Sequence, residues 1–260
     1  MIEKHLDIPT AHGAMNSFVV YPEEGGQNGK FPVVLFYMDA PGKREELHDM
    51  ARRIAAVGYY VVLPNLYYRS SRDYMLKERT EPAMAEMFGH MDSITNGLIT
   101  DDTGAILKFV DAQPEADSAR VSGVGYCMSG PFVFAAAATY PERFKSIAAI
   151  YPARMVTYKP DSPHLMTAPI QCETYVACAE IDKWASPAEI KFVEDKLVRD
   201  GTPYRIEWYG GCEHGFAFPK RPIYNQAAAE RHWERLFALW KRTLSSVSYT
   251  HLTLPTTPYV

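Results

Sequence analysis

The sequence has few cysteines, and their spacing does not match a structural site. Its 260 residues contain four, Cys127, Cys172, Cys178 and Cys212. They form no CxxC pair of the kind that binds zinc, and they are too sparse for a disulfide scaffold. We therefore expect free thiols in a reducing cytoplasm, with no metal and no cofactor. One disulfide among the last three cysteines stays an open alternative.

The sequence also lacks an excess of positive charge and long apolar runs. The net charge of −4 leaves no basic footprint for nucleic acid and no polybasic surface for a membrane. No apolar run approaches the roughly 20 residues that span a bilayer. The N-terminal sequence MIEKHLDIPTAHG carries early charges and has no apolar segment typical of a secretory signal. We therefore expect neither nucleic-acid nor membrane partners.

Short apolar runs alternate with segments of helical periodicity along most of the chain. Continuous apolar runs such as Pro32–Met38 and Tyr59–Pro64 are typical of strands buried on both faces of a parallel sheet. Residues 2–8 and 15–21 predict an antiparallel edge pair, and residues 65–99 predict a loop and helix lying over the sheet. The pattern indicates an α/β fold with a mostly parallel central sheet and helices on both faces, formed by a single domain over residues 1–245.

The C-terminal residues 246–260 differ in character from the rest of the chain. Residues 247–256 read as the translation of a transposase-based sequencing adapter, and the segment is rich in Thr and Pro. We interpret residues 246–260 as an adapter-derived or disordered tail and exclude them from the fold prediction.

The strongest chemical motif is GVGYCMSG, residues 123–130, which follows a predicted strand and opens a predicted helix. It matches the nucleophile elbow, in which small residues flank a nucleophile on a tight strand-to-helix turn. Cys127 occupies the nucleophile position, where the helix N-terminus favours its thiolate, and the backbone N–H of Met128 points to where an oxyanion would form. A glycine-rich turn around a buried structural cysteine is the alternative interpretation.

An acid and a histidine follow the nucleophile in the chain order that an elbow of this type requires. Asp182 lies just past a predicted strand, and His214 lies in the loop after the last predicted strand. A histidine partner makes a thiol a usable nucleophile, and a carboxylate fixes the imidazole tautomer and stabilises the imidazolium. The sequence therefore predicts a triad of Cys127, His214 and Asp182, with Glu180 as a competitor for the acid position.

At this point the chain resembles the dienelactone hydrolase family. The resemblance rests on GYCMSG, on HGFA near the C-terminus and on MDAPG after the first long buried strand, and it extends to about Leu244. It implies an α/β-hydrolase fold and hydrolysis of an ester or lactone. It also implies that a carboxylate after the first long strand contacts the nucleophile and that the next backbone N–H completes the oxyanion hole, positions that fall on Asp39 and Ala40.

The substrate pocket departs from the pattern of the family's best-known members. They carry a Glu at the position of Asp39, and an arginine that binds a substrate carboxylate at the position of Phe218. The apolar ring predicts a preference for neutral or aromatic esters and lactones over acidic ones. A compensating guanidinium from residues 65–99 would reverse this preference. The pocket candidates on this reasoning are Phe218, Tyr126, Arg69 and Arg72, with Arg79 as a further arginine.

Three functions are compatible with these residues. The leading hypothesis is a cofactor-free hydrolase of a small-molecule ester or lactone that forms an acyl-enzyme on Cys127 and is a monomer or small homo-oligomer. A thioesterase or acyltransferase would use the same triad. A non-catalytic binding protein on a hydrolase scaffold is disfavoured because binding alone needs no aligned Cys, Asp and His.

Overall fold

The computed structural model describes residues 1–245, so the predicted tail at residues 246–260 lies outside the described residues. The strands are β1 Ile2–Thr10, β2 Gly13–Tyr21, β3 Phe31–Tyr37, β4 Tyr60–Pro64, β5 Ala116–Tyr126, β6 Phe144–Ile150, β7 Glu173–Ile181 and β8 Tyr204–Glu213. The helices are α1 Glu45–Ala55, α2 Glu81–Asp92, α3 Asn96–Asp111, α4 Gly130–Thr139, α5 Pro187–Asp200 and α6 Gln226–Leu244.

The strands form one sheet in the order β1-β2-β4-β3-β5-β6-β7-β8. β2 pairs antiparallel with β1 and with β4, and the remaining pairs are parallel. The predicted antiparallel edge pair and mostly parallel sheet are therefore confirmed. β3 and β4 are almost entirely buried, as continuous apolar runs in the middle of a parallel sheet require.

Helices cover both faces of this sheet. On one face, α3 packs against α4, and α4 lies on β5 and β6. On the other face, α1 lies beside α6, where the Arg53 guanidinium is 4.9 Å from the centre of the Trp233 ring. Within residues 1–245, none of the helices combines the length and apolarity needed to cross a bilayer. This arrangement confirms the predicted single-domain α/β architecture.

The segment between β4 and β5 contains the loop and helix predicted over residues 65–99, and α2 is that helix. The next helix, α3, begins at Asn96 and so starts within the range that the sequence analysis assigned to the loop and helix. The side chain of Thr95 accepts a hydrogen bond from the N–H of Leu98 at 3.2 Å and caps α3. The start of α3 could be predicted from the sequence, because an N-cap threonine marks a helix start even where a glycine follows.

Residues predicted to carry chemistry follow the ends of parallel strands. Asp39 follows β3, Cys127 follows β5, Asp182 follows β7 and His214 follows β8. Because the carboxyl ends of parallel strands meet at one edge of a sheet, the topology gathers these four side chains from distant parts of the sequence. The fold therefore builds its candidate site along this edge.

Candidate active site

Cys127 lies on a tight turn between β5 and α4. A single 3₁₀ turn covers Cys127–Ser129, and α4 begins directly after it. The backbone of Cys127 has a φ of +57°, a left-handed conformation that is uncommon for residues other than glycine and stores strain. A Cβ at Gly125 would overlap the Ser129 carbonyl oxygen, and one at Gly130 would overlap Pro152. This is the geometry of the predicted nucleophile elbow.

The structure brings His214 and Asp182 together. Nδ1 of His214 is 2.8 Å from Oδ2 of Asp182, and the Asp182 side chain is only 2% exposed. The other oxygen of Asp182 accepts a hydrogen bond from the Trp184 backbone N–H at 2.8 Å. Both carboxylate oxygens are thus engaged, which orients the imidazole. Glu180 instead accepts from the Gly211 N–H at 2.6 Å on the exposed side of the chain.

The second ring nitrogen of His214 is available for the thiol. Within residues 1–245, Nε2 of His214 is buried and has no hydrogen-bond partner. Cys127 and His214 line the same cavity, and Cys127 is partly exposed. The S–H to Nε2 contact therefore falls short of a standard hydrogen bond, although each group shifts the pKa of the other. Catalytic hydrogen bonds are often loose before substrate binds.

Electrostatics favour the thiolate–imidazolium pair. Burial is the largest influence on the pKa of Cys127 and raises it, but the interactions with His214 and the positive charge of Arg221 together outweigh burial, so that the pKa is lowered overall. Burial lowers the pKa of His214, and the Cys127 thiolate together with Asp182 reverses this and raises the pKa to about 9. Burial raises the pKa of Cys172 and of Cys178 to about 12. Cys127 is therefore the cysteine in the described residues whose environment favours ionisation.

Two backbone N–H groups occupy the predicted oxyanion positions: Ala40 lines the same cavity as Cys127, and Met128 directly follows Cys127 in the turn. Within residues 1–245, the N–H of Ala40 forms no hydrogen bond. Met128 is the second residue of the 3₁₀ turn, and the first N–H groups of a helical turn have no acceptor within that turn. Ser129 holds the two loops together, because its hydroxyl donates to the Met38 carbonyl. Unpaired N–H groups of this kind can stabilise an oxyanion.

The Asp39 carboxylate is fully buried between two arginines. Arg44 Nη1 is 2.5 Å from Oδ1 of Asp39, and Arg221 Nη2 is 2.6 Å from Oδ2. Arg44 also binds Glu46 at 2.8 Å. The hydrogen bonds of Asp39 therefore go to guanidinium groups rather than to the thiol, and its charge acts at a distance by raising the pKa of Cys127. A modulating role for Asp39 stays a prediction.

A cavity of about 80 Å³ opens onto Cys127 and His214. Its apolar wall comes mainly from one face of α2, with Trp184 added from the loop that carries Asp182. The Phe88 and Trp184 rings lie 5.8 Å apart. The residues of this wall are Met84, Met87, Phe88, Met91 and Trp184. The sequence analysis missed this wall, although the four α2 residues follow the i, i+3, i+4, i+7 spacing of a helix face.

Three arginines line the same cavity, namely Arg79, Arg154 and Arg221. Arg154 binds Asp92 at 2.7 Å, and Arg221 binds Asp39. Within residues 1–245, Arg79 forms no ion pair or hydrogen bond. Burial lowers its pKa, and the neighbouring charges of Arg221 and Arg44 lower it further. The charges of Asp39 and Cys127 offset this in part. Arg79 is therefore the lining arginine that has no directly bonded counter-ion in the described part of the chain.

The structure corrects the position of Phe218. Its side chain is fully buried and does not line the cavity. The guanidinium carbons of Arg221 and Arg44 lie 4.7 and 5.1 Å from its ring centre. An apolar ring gains more from burial than from lining a charged site, so Phe218 packs beneath the arginines. The sequence argument missed Arg221 because it compared one fixed position instead of the whole loop.

Three further pocket candidates also lie away from the cavity. Tyr126 is buried, and its hydroxyl lies 3.0 Å from Nε2 of His232. Arg69 forms two hydrogen bonds with the buried Asp102, at 2.8 and 2.9 Å. Arg72 binds Asp7 on the edge strand β1 at 2.7 Å. Of the arginines considered from the sequence, Arg79 is the one that reaches the cavity.

Within residues 1–245, no group of three or more His, Cys, Asp or Glu side chains is arranged to hold a metal ion. All four cysteines are free thiols.

The chain is similar to proteins of known name along nearly its whole length. A Synechocystis sp. protein named "Putative carboxymethylenebutenolidase" is 25% identical over 220 residues, covering 83% of this chain and 88% of that protein. The carboxymethylenebutenolidase of Rhodococcus opacus is 22% identical over 255 residues, covering 93% of each chain.

Solved structures show the same fold. That of a "Putative Dienelactone Hydrolase" from Klebsiella pneumoniae superposes with a TM-score of 0.83 at 20% identity, covering 93% of this chain and 98% of that one. The sequence model of the dienelactone hydrolase family matches residues 15–244. The chain therefore belongs to the dienelactone hydrolase family and is a hydrolase of α/β-hydrolase fold.

Proposed function

We propose that this hydrolase cleaves small esters or lactones through a covalent acyl-enzyme on Cys127. The observation that carries the proposal is the His214 imidazole. It is held at Nδ1 by Asp182, and its buried Nε2, which has no partner among residues 1–245, lies beside a thiol of lowered pKa. The names of the relatives support the substrate class, since carboxymethylenebutenolidases are lactone hydrolases by name.

The first half of the reaction forms a thioester. The Cys127 thiolate attacks the substrate carbonyl carbon, and the carbonyl oxygen takes up the negative charge opposite the N–H groups of Ala40 and Met128. The C–O bond to the leaving alkoxide then breaks, and the imidazolium of His214 gives its Nε2 proton to that oxygen. In a lactone, the new hydroxyl stays attached to the acyl chain.

The second half returns the enzyme to its starting state. Neutral His214 takes a proton from a water molecule, whose oxygen attacks the thioester carbonyl carbon. The C–S bond breaks, the carboxylic acid product leaves, and the thiolate of Cys127 is restored beside the imidazolium. Asp182 keeps the imidazole in one tautomer throughout.

The pH dependence of kcat/KM tests this assignment. For a lactone with an alkyl leaving group, we expect an acid limb below the ordinary thiol pKa and a basic limb near pH 9. The acid limb reports protonation of the thiolate, and the basic limb reports loss of the His214 proton that the alkoxide needs. Both limbs belong to the coupled pair rather than to one residue.

A p-nitrophenyl ester serves as the matched substrate, because its leaving group departs without a proton. We expect it to keep the acid limb and to lose the basic limb. An acid limb at the ordinary thiol pKa of about 8.5 would contradict a preformed thiolate.

We further propose that the cavity accepts a substrate with an anionic group. The Arg79 guanidinium supports this, because it lines the cavity with Cys127 and has no directly bonded counter-ion within residues 1–245. The burial of Phe218 removes the argument for a neutral substrate. A guanidinium binds a carboxylate through two parallel hydrogen bonds, which strengthens the contact and fixes its direction.

Arg79→Gln is expected to lower kcat/KM roughly 10- to 100-fold for a lactone that carries a carboxylate, and to change it little for the methyl ester of the same lactone. The range follows from about 1.5–3 kcal/mol for a charge-assisted hydrogen bond. Arg72→Gln is the control, because Arg72 binds Asp7 away from the cavity. Equal effects of Arg79→Gln on both lactones would contradict anion recognition by this residue.

A further inference from the structure

The Tyr67 side chain connects the two segments that carry the proposed oxyanion donors. It lies in the loop after β4 and is 1% exposed. Its hydroxyl donates a hydrogen bond to the Ala40 carbonyl at 2.8 Å, and the same oxygen lies 3.3 Å from Sδ of Met128. A phenol has one proton, and the carbonyl is the stronger acceptor, so the sulfur contact is a packing contact.

The Ala40 carbonyl depends on this bond. The next residue is Pro41, which has no N–H, so the carbonyl is the one hydrogen-bonding group of that peptide unit. Within residues 1–245, no donor other than Tyr67 reaches it. The neighbouring carbonyls of Asp39 and Pro41 are held by the N–H groups of Gly42 and Leu76, at 3.1 and 2.9 Å.

The ring of Tyr67 is itself fixed. It packs edge-on against the Tyr74 ring, with ring centres 5.6 Å apart, and its centre lies 5.2 Å from the centre of the His90 ring. Burial raises the pKa of the Tyr67 hydroxyl, and the nearby Asp39 and Cys127 charges raise it further, so the group stays protonated as a donor.

We propose that Tyr67 is a positioning residue of the oxyanion hole, whose hydroxyl holds Ala40 and Met128 at the separation that lets both N–H groups point at one oxygen. The inference rests on the proposed function of Cys127. Tyr67 acts through the backbone, because its proton is committed to the Ala40 carbonyl and is not available to a substrate.

Tyr67→Phe is the direct test, since it removes one oxygen and keeps the ring. We expect kcat for a p-nitrophenyl ester to fall roughly 10- to 100-fold with little change in KM, because displaced oxyanion donors lose transition-state stabilisation rather than substrate binding. The rate at which iodoacetamide alkylates Cys127 is expected to stay within about twofold, because this displacement reports the thiolate and forms no oxyanion.

Tyr74→Phe is the matched control. Its hydroxyl is buried without a partner in the described residues and belongs to the ring that packs on Tyr67. We expect this variant to keep the kcat of the parent enzyme. Reversible inhibition by a trifluoromethyl ketone, which forms a tetrahedral oxyanion on the sulfur, is expected to weaken in Tyr67→Phe by the same factor as kcat.

The outcomes separate the two proposals. An unchanged kcat in Tyr67→Phe, or equal losses in turnover and in alkylation, would overturn the positioning role while leaving Cys127 as the nucleophile. Turnover that survives complete alkylation of Cys127 in the parent enzyme would remove the proposed function, and with it the role of Tyr67.

Discussion

Replacing Cys127 with alanine is expected to lower kcat/KM for esters and lactones roughly 10⁴- to 10⁶-fold, because no acyl-enzyme forms without the sulfur. Residual turnover would come from the oxyanion donors and from substrate binding alone. The melting temperature is expected to change little, since the side chain is small and partly exposed to the cavity. Steady-state kinetics and a thermal melt measure both quantities on the same preparation.

The other cysteines supply the control for this result. Cys212→Ala is expected to retain turnover, because burial raises the pKa of this thiol. At pH 7, iodoacetamide is expected to modify Cys127 first and to abolish activity in the same proportion, while Cys172 and Cys178 react last. Inactivation that followed the labelling of Cys212 would contradict the assignment.

Loss of His214 is expected to be nearly as severe. His214→Ala is expected to cost roughly 10⁴-fold or more in kcat, and Asp182→Asn roughly 10²- to 10⁴-fold, because the first removes the proton carrier and the second its orientation. The double variant is expected to be little worse than His214→Ala, since residues that act as a unit are non-additive. Single-turnover kinetics on an activated ester measure each step.

Glu180→Gln is the control for the acid. Glu180 lies two residues before Asp182 but binds the Gly211 N–H on the exposed side, so we expect a loss of no more than a few-fold. The assignment would be reversed if Glu180→Gln cost more than Asp182→Asn. An additive double variant would show that His214 and Asp182 act independently.

The convergence of Cys127, Asp182 and His214 could be predicted because it follows from topology. Each residue comes directly after a strand, and parallel strands end at one edge, so the order of elements along the chain is enough to group them. Local signals likewise mark the starts of two helices, with Asn225 as the N-cap of α6 and a capping box of Ser186 and Glu189 at α5. The apolar pattern of a strand or helix and the residues that cap a helix are properties of short segments, so they can be predicted from the sequence alone.

The substrate side of the cavity could not be predicted in the same way. Whether Arg79 or Arg69 reaches the cavity depends on the path of residues 65–99, which no local pattern determines. Arg221 lines the cavity because the loop after His214 turns, so that the Phe218 ring packs beneath the Arg221 guanidinium. Side-chain direction in irregular segments depends on tertiary contacts rather than on spacing.

Tyr67 lies between these two cases. β4 and β3 are neighbours in the sheet, so the loops that follow them meet, and a tyrosine in one loop faces the backbone of the other. The strand order therefore indicates that Tyr67 lies near the Ala40 backbone. The hydrogen bond between the Tyr67 hydroxyl and the Ala40 carbonyl depends on how the two loops pack against each other, which no local pattern specifies.

The left-handed backbone at Cys127 also limits how the nucleophile can evolve. A serine carries a single γ atom, as cysteine does, and fits a φ of +57° equally well. A threonine would bring a second γ substituent into a region where β-branched residues are outliers. A descendant of this sequence can therefore replace the cysteine by serine in one mutational step without changing the turn. The charges around the side chain, rather than the backbone, then decide whether selection retains the sulfur or the oxygen nucleophile.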